Sequence, residues 1–366
     1  MRVLVFGITE NPGGVESVIM NYYRKIDRAK YHFDFLCNTE EVAYEDEIQK
    51  LGGKIFRIAM RSKDRKKYYN DLDLFFKNNA SNYDAIWINV CSLANIDYLK
   101  WAKKYGIKTR IIHSHNSQNM DSRLRGLLHR YNKLILNKYA TSFWSCSQEA
   151  SDWFFSKSIQ NSPNYHLIRN GIDVEKYKFN QLVRNQKRKE LHLDGKFVVG
   201  NVGRLHFQKN QIFLIEVFKE IKKIKNHAVL LLVGDGADKE KLIQKVKELQ
   251  LDDSVLFLGL RKDVASLYSA MDVFVFPSLF EGLPLALVES QAASLPTFIS
   301  EGCISTDAIM SNFIKSISLE EAKTVWAKEI CSVNYDRESL SVEEIIENGY
   351  DINHEVQKLE RYFEEA

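Results

Sequence analysis

Cysteine is sparse in this chain: five residues in 366, an odd number, with no two close enough for a C-x-x-C pair. A disulfide framework and zinc-finger spacing are both excluded, and reduced, mostly buried thiols in a cytoplasmic protein are expected. Long apolar runs are missing too. No uncharged stretch approaches the ~18–20 residues that cross a bilayer. The opening Met1-Arg-Val-Leu-Val-Phe-Gly reads as a strand entering a turn and not as a signal peptide. Neither sign of charge dominates, with 51 Lys and Arg against 48 Asp and Glu. A net charge of +3 is too weak to argue for a nucleic-acid partner. Low-complexity segments and short internal repeats are also absent.

What remains is an ordinary globular composition, 45% hydrophobic and 27% charged, long enough for about two domains. Short apolar runs at Val3–Phe6, His32–Cys37, Lys54–Ile58, Ala85–Val90, Thr109–His113, Ser142–Cys146 and His166–Ile168 alternate with segments of helical period. The polar and basic stretch Phe179–Glu190 reads as a linker. The alternation then restarts with strands at Phe197–Val202, Ala228–Val233, Val255–Leu258, Val273–Phe276 and Thr297–Ser300. Strands alternating with helices imply a parallel sheet covered on both faces. The expected fold is α/β, with two Rossmann-like domains facing each other across a cleft. Residues 1–174 form the first and 175–349 the second, with a C-terminal helix at about 350–366 packing back on the first.

Ligands of such sheets bind beyond the carboxyl ends of the strands. The polar motifs fall at those places: Gly13-Gly14, His113–Asn116, Ser145–Ser147, Gly203–Asn210, Gly234–Gly236 and Glu281–Pro284. In Phe274–Pro296 a buried strand leads through a loop into a helix with Pro284 near its first turn. The N–H groups of Gly282, Leu283 and Leu285 are candidate donors to an anion at that helix mouth. Glu281 sits in the loop, and Glu289 lies ~7 Å along the axis from Pro284. Arg204 and Lys209 again lie between a strand and a helix, where two cations can neutralise a diphosphate without a metal; the commoner fate of such residues is a solvated loop. His113 and His115 face the same side of a strand. They lack a third ligand of obvious spacing, so no metal is expected. Gly234-Asp235-Gly236 is not a dinucleotide fingerprint, because Lys239 stands where a third glycine is required. Two basic stretches, Arg61–Tyr69 and Arg123–Tyr131, interleave cations with leucine and tyrosine. They suit an anionic membrane surface or are simply solvated helix faces.

The stretch E-G-L-P-L-A-L-V-E resembles the E-x7-E signature of glycosyltransferase family four, retaining enzymes of GT-B fold. G-R-x-x-x-x-K-N at Gly203–Asn210 and N-G-I-D at Asn170–Asp173 are similar to further family elements, so the resemblance spans nearly the whole chain. The H-S-H-N strand end and Gly349–Ile352 look most like bacterial exopolysaccharide and capsule enzymes. Ser294 stands where the family often has glycine, which touches helix-end geometry.

The resemblance implies transfer of a sugar from a nucleotide donor, UDP-linked, to a glycan or polyprenyl-linked saccharide, with no cofactor and with retention of configuration. Arg204 and Lys209 would hold the donor diphosphate, Glu281 the sugar hydroxyls and Glu289 the ribose. Gly234 and Gly236 would line the nucleotide cleft, and Arg261 would lie near the base. His115 with Asn116 would point its N–H groups at the donor sugar, with His113 as reserve. Gly13, Gly14 and Glu16 would stand near the acceptor. A cytoplasmic enzyme at the inner face of the membrane is the expected setting. A GT-B-fold nucleotide-sugar epimerase and a non-catalytic nucleotide-sugar-binding subunit are the alternatives. Retention of His115, Arg204, Lys209 and Glu281 together speaks against the silent subunit.

Overall fold

The computed structural model describes residues 1–117, 123–281, 283–304, 306–334, 337 and 343–365. The chain divides into two compact units, Met1–Gly171 with Ile352–Ala366, and Ile172–Asp351.

Unit 1 is built on β1 (Arg2–Phe6), β2 (His32–Cys37), β3 (Ile55–Arg57), β4 (Ala85–Val90), β5 (Thr109–Ser114), β6 (Ser142–Ser145) and β7 (Tyr165–Leu167). Their order is β3-β2-β1-β4-β5-β6-β7, and every pairing is parallel. The strands are short, with apolar runs at their centres and polar residues mostly at their ends, because helices cover both faces and leave no solvated side to alternate with. The last helix, Ile352–Glu365, belongs here. Its buried stripe Val356, Leu359 and Phe363 repeats at helical spacing. Phe363 packs against Phe33, Trp87 and Trp144, with ring centroids 5.9, 6.0 and 5.2 Å away. Tyr31 Oη donates to the Glu360 carbonyl at 3.1 Å.

Unit 2 contains β8 (Phe197–Val202), β9 (Ala228–Val233), β10 (Val255–Gly259), β11 (Val273–Phe276), β12 (Thr297–Ser300) and β13 (Ile314–Ile317), ordered β10-β9-β8-β11-β12-β13 and again all parallel. The sheet grows from β8 in one direction to β10, then resumes on the other side at β11. The switch point therefore lies between β8 and β11; in unit 1 the same reversal falls between β1 and β4.

Two expectations from the sequence are corrected here. The stretch read as a linker is largely a helix, Gln181–Glu190, within unit 2. The Asn180 side chain caps it by accepting from the Val183 N–H at 3.0 Å. Its two arginines are not solvated: Arg184 donates to the carbonyls of Ser269, Ala270 and Met271, and Arg188 to those of Ala270 and Leu193. They satisfy the open carbonyls at the end of the helix Val264–Ala270. The edge strand β13 had no apolar run to announce it, because Lys315 and Ser316 at its centre are exposed.

Candidate active site

In unit 2 the loop leaving β8 lies directly on the loop leaving β9. The Leu205 N–H donates to the Asp235 carbonyl at 3.0 Å. A Cβ on Gly234 would fall 2.1 Å from the Gly203 oxygen, and one on Gly236 2.4 Å from the Leu205 oxygen. Only glycine permits that approach, so this pair fixes the path of the Gly203–Leu205 backbone. Arg204 is thereby held on an exposed turn, and its guanidinium makes no hydrogen bond or ion pair with a described residue.

Lys209 closes the same loop. Its stem crosses Gly203, its ammonium lies 4.8 Å from the centre of the Phe276 ring, and Nζ reaches Glu281 Oε1 at 2.6 Å. The lysine side chain is 17% exposed and the carboxylate 7%, so this is a largely desolvated ion pair. Gln208 braces the pair from the side: Nε2 donates to the Phe280 carbonyl at 2.9 Å, and its own carbonyl accepts from the Leu279 N–H at 2.8 Å. The Glu281 N–H donates to the Cys303 carbonyl at 2.9 Å. The loops after β8 and β11 are thus joined at the switch point by one charged contact and a glutamine clamp.

The helix after this loop runs Leu285–Ala292 with Pro284 as its N-cap. Of the donors expected at its mouth, Gly282 lies outside the described residues, and Leu283 is buried. The helix ends at Ser294, with φ +49°, in the left-handed conformation that glycine adopts at no cost. Glu289 is gripped by two phenols: Tyr177 Oη donates to Oε1 at 2.8 Å and Tyr268 Oη to Oε2 at 3.0 Å. Burial pushes the Glu289 carboxyl above its usual range, although both tyrosine hydrogen bonds pull it back. No sequence signal marks either tyrosine. Arg337 is a third unannounced residue. Fully surrounded, it donates to the carbonyls of Tyr268, Ser269, Met271, Ala293 and Ser294, tying two helix ends beneath the site. Arg261, expected near a base, is held by Asp263 in a two-pronged pair at 2.8 and 2.7 Å.

In unit 1 the corresponding switch point carries Asn89 and His115. Gly7 (φ +139°) lets β1 pass Asn89, since a Cβ there would stand 2.7 Å from the Asn89 Cβ. The Asn89 amide donates to the Phe6 carbonyl at 3.3 Å, which turns its oxygen to His115 Nε2 at 2.9 Å. That network assigns the Nε2–H tautomer and leaves Nδ1 as an acceptor. The expectation that His115 offers N–H groups to a sugar therefore changes: the Nε2–H is engaged by Asn89, and Nδ1 carries no proton to donate. Burial pushes the His115 pKa down to about 3, so the ring is neutral at pH 7.

His113 lies one strand step deeper, with ring centroids 4.1 Å apart. It is 0% exposed, set against Trp87 and Trp144, and its ring meets the Ile168 backbone too loosely for a good hydrogen bond. It faces the core and not a ligand, because it is still inside β5 whereas His115 is just past its end. Asn116 is buried beside them. Gly13 caps the helix Gly14–Lys25, and a Cβ on Gly14 would meet nothing within 4 Å. Glu16 is buried and accepts from Thr9 Oγ1 at 2.5 Å.

Two Rossmann-like units, each gathering polar side chains beyond the carboxyl edge of its sheet at the switch point, define the GT-B class. The family described as glycosyl transferases group 1 matches residues 183–351. A Bacillus subtilis relative, the putative glycosyltransferase EpsF, is 31% identical over 357 residues, covering 94% of this chain and 92% of that one. The capsular polysaccharide biosynthesis glycosyltransferase CapH of Staphylococcus aureus is 24% identical over 365 residues, 96% of each chain. Among solved structures, HepE of Anabaena in complex with UDP and glucose superposes with a TM-score of 0.81 at 18% identity, covering 100% of both chains. The chain belongs to the group 1 glycosyltransferases, the family-four type.

Proposed function

We propose that the protein is a retaining, metal-independent hexosyltransferase that moves a sugar from a UDP-sugar to a glycan or polyprenyl-linked saccharide in exopolysaccharide or capsule synthesis. The observation that carries this reading is the charged contact of Lys209 with Glu281 beside exposed Arg204, at the switch point of unit 2. A donor diphosphate placed there would meet Arg204 and draw on Lys209, while Glu281 stands ready for the hydroxyls of the sugar attached to it. The acceptor hydroxyl oxygen attacks the anomeric carbon from the face the diphosphate leaves. The C–O bond to the diphosphate breaks, its electron pair stays on the phosphate oxygen, and that oxygen takes the acceptor's proton. The two cations stabilise the charge that grows on the leaving group. Glu289, fixed by Tyr177 and Tyr268, supplies an oriented acceptor for a ribose hydroxyl. The UDP held by the Anabaena protein and the capsular role of the Staphylococcus aureus relative support the donor and pathway class.

The test is incubation of the purified protein with a panel of UDP-sugars and membrane extract, followed by chromatography of donor and product. Transfer of sugar with release of UDP is expected. UDP binding with no transfer from any donor would overturn the enzyme reading, and donor isomerisation without acceptor product would replace it with an epimerase.

A further inference from the structure

The two basic stretches of unit 1 have opposite surfaces. In the first, the aromatic residues turn inward: Tyr68 is fully buried, and Tyr69 stacks on Trp101 at 5.6 Å with Arg61 and Arg65 over its ring. The helix that carries it, Arg65–Asn79, also bears acids, with Lys67 paired to Asp71 at 2.6 Å. It is a mixed, solvated face.

The helix Arg123–Ile135 is inverted relative to an ordinary surface helix. Its buried residues are Gly126, His129 and Asn132. His129 Nδ1 accepts from the Leu93 N–H at 3.0 Å, and the Asn132 amide donates to the Leu93 carbonyl at 2.7 Å. At about 100° per residue the opposite face carries Leu124, Leu127, Leu128, Tyr131 and Leu134. These are 67, 60, 39, 60 and 79% exposed. Solvated helices do not present a leucine stripe outward without an occupant. Arg123 and Arg130 border the stripe on one side, and no acidic residue occurs anywhere in the helix.

The geometry points to this helix as a docking face for the surface of an anionic lipid bilayer. Leucines and a tyrosine with flanking arginines match the layered chemistry of that surface, apolar tails beneath negative headgroups. The charge pattern selects the bilayer over a second copy of this chain: a two-fold contact through the stripe would gather Arg123 and Arg130 of both copies along one seam, with no acid on the helix to compensate. The inference extends the proposed function by naming where a lipid-linked acceptor would be met. It stands on unit 1 alone, so failure of UDP binding would not touch it, and failure here would not touch the donor site.

The experiment is co-sedimentation of the full chain with vesicles of phosphatidylglycerol and phosphatidylcholine in equal parts, or of phosphatidylcholine alone. The protein should pellet with the anionic vesicles only, and less so as salt rises. Arg123→Gln with Arg130→Gln should weaken binding by roughly 25-fold, about fivefold per charge. Leu124→Ser with Leu127→Ser and Leu134→Ser should weaken it at least as much, with unchanged thermal melting and UDP binding. Leu127→Trp gives a second readout: its fluorescence should shift to the blue on adding anionic vesicles. Pelleting unaffected by the leucine changes, or no blue shift, would overturn the proposal. So would a dimer in light scattering that the leucine variant dissociates, with no vesicle binding by either protein.

Discussion

Lys209 Nζ and Glu281 Oε1 stand 2.6 Å apart on two loops that leave neighbouring strands, β8 and β11. Arg204, in the same loop as Lys209, has no such tether. The two cations proposed to serve one diphosphate therefore differ in what else they hold. Arg204→Ala should raise the barrier to transfer by ~2–4 kcal/mol with the melting temperature unchanged. Lys209→Ala should cost a similar amount in turnover and also lower stability by about 1–3 kcal/mol, because it strips a largely buried carboxylate of its cation. Steady-state rates and thermal melting on both variants check this. Equal melting temperatures, or full turnover in either variant, would count against the assignment.

Glu289 makes a prediction with a pH sign. Its folded pKa is raised by burial above the ordinary 4.5. A raised folded pKa gives stability that is fully present below the unfolded value and is lost as pH rises through the folded value. At pH 7, well above the unfolded value, the raised pKa is thus a cost to folding relative to acid pH. Glu289→Gln should raise the melting temperature at pH 7, and the gain should vanish near pH 4. The same change should weaken UDP affinity, a trade of stability for function. Calorimetric melting across pH with UDP titration at pH 7 reads both. A variant no more stable than the parent at pH 7 would show that the two tyrosine hydrogen bonds outweigh the desolvation.

The adjacent histidines act in the other direction. Burial lowers both pKa values, His113 well below 6.5 and His115 to about 3. Their contribution is full above the unfolded value of about 6.5 and is lost as pH falls towards the folded values. Between pH 6.5 and 5 each histidine should cost unit 1 up to about 2 kcal/mol. His113→Phe keeps a ring between Trp87 and Trp144 and removes a buried, poorly satisfied imidazole. It should melt no lower than the parent at pH 7 and distinctly higher at pH 5. A parallel pH dependence for parent and variant would reject the account.

A stabilising change is available far from the site. His192 follows the helix Gln181–Glu190 with φ +54° and its side chain in solvent. His192→Gly should add about 0.5–1 kcal/mol by relieving the left-handed strain, measured by denaturant unfolding with activity unaltered.

Both sheets were legible in the sequence because a parallel strand covered on both faces must be an apolar run, and polar residues at its carboxyl end then stand out. β13 escaped because an edge strand with Lys315 and Ser316 exposed has no such run. The helix Gln181–Glu190 escaped because its arginines serve carbonyls that composition cannot reveal. Lys209, Arg204, Glu281 and His115 were legible as candidates from position alone. Their partners were not. That Tyr177 and Tyr268 hold Glu289, that Asn89 accepts the hydrogen bond of His115, and that His113 faces inward all depend on contacts between residues 21 to 112 positions apart, or on one step of strand register.

The placement of Ile352–Glu365 has a consequence for the order of assembly on the ribosome. Gly171 and Ile352 are neighbours within unit 1, a Cβ on the former falling 3.1 Å from the latter's Cα, so unit 2 is spliced into unit 1 as a closed excursion. Phe363, which completes the aromatic cluster of Phe33, Trp87 and Trp144, is made only after unit 2. The unit that begins first in the chain is therefore finished second. Throughout synthesis of unit 2, the nascent first sheet waits with one face of Trp87 and Trp144 uncovered.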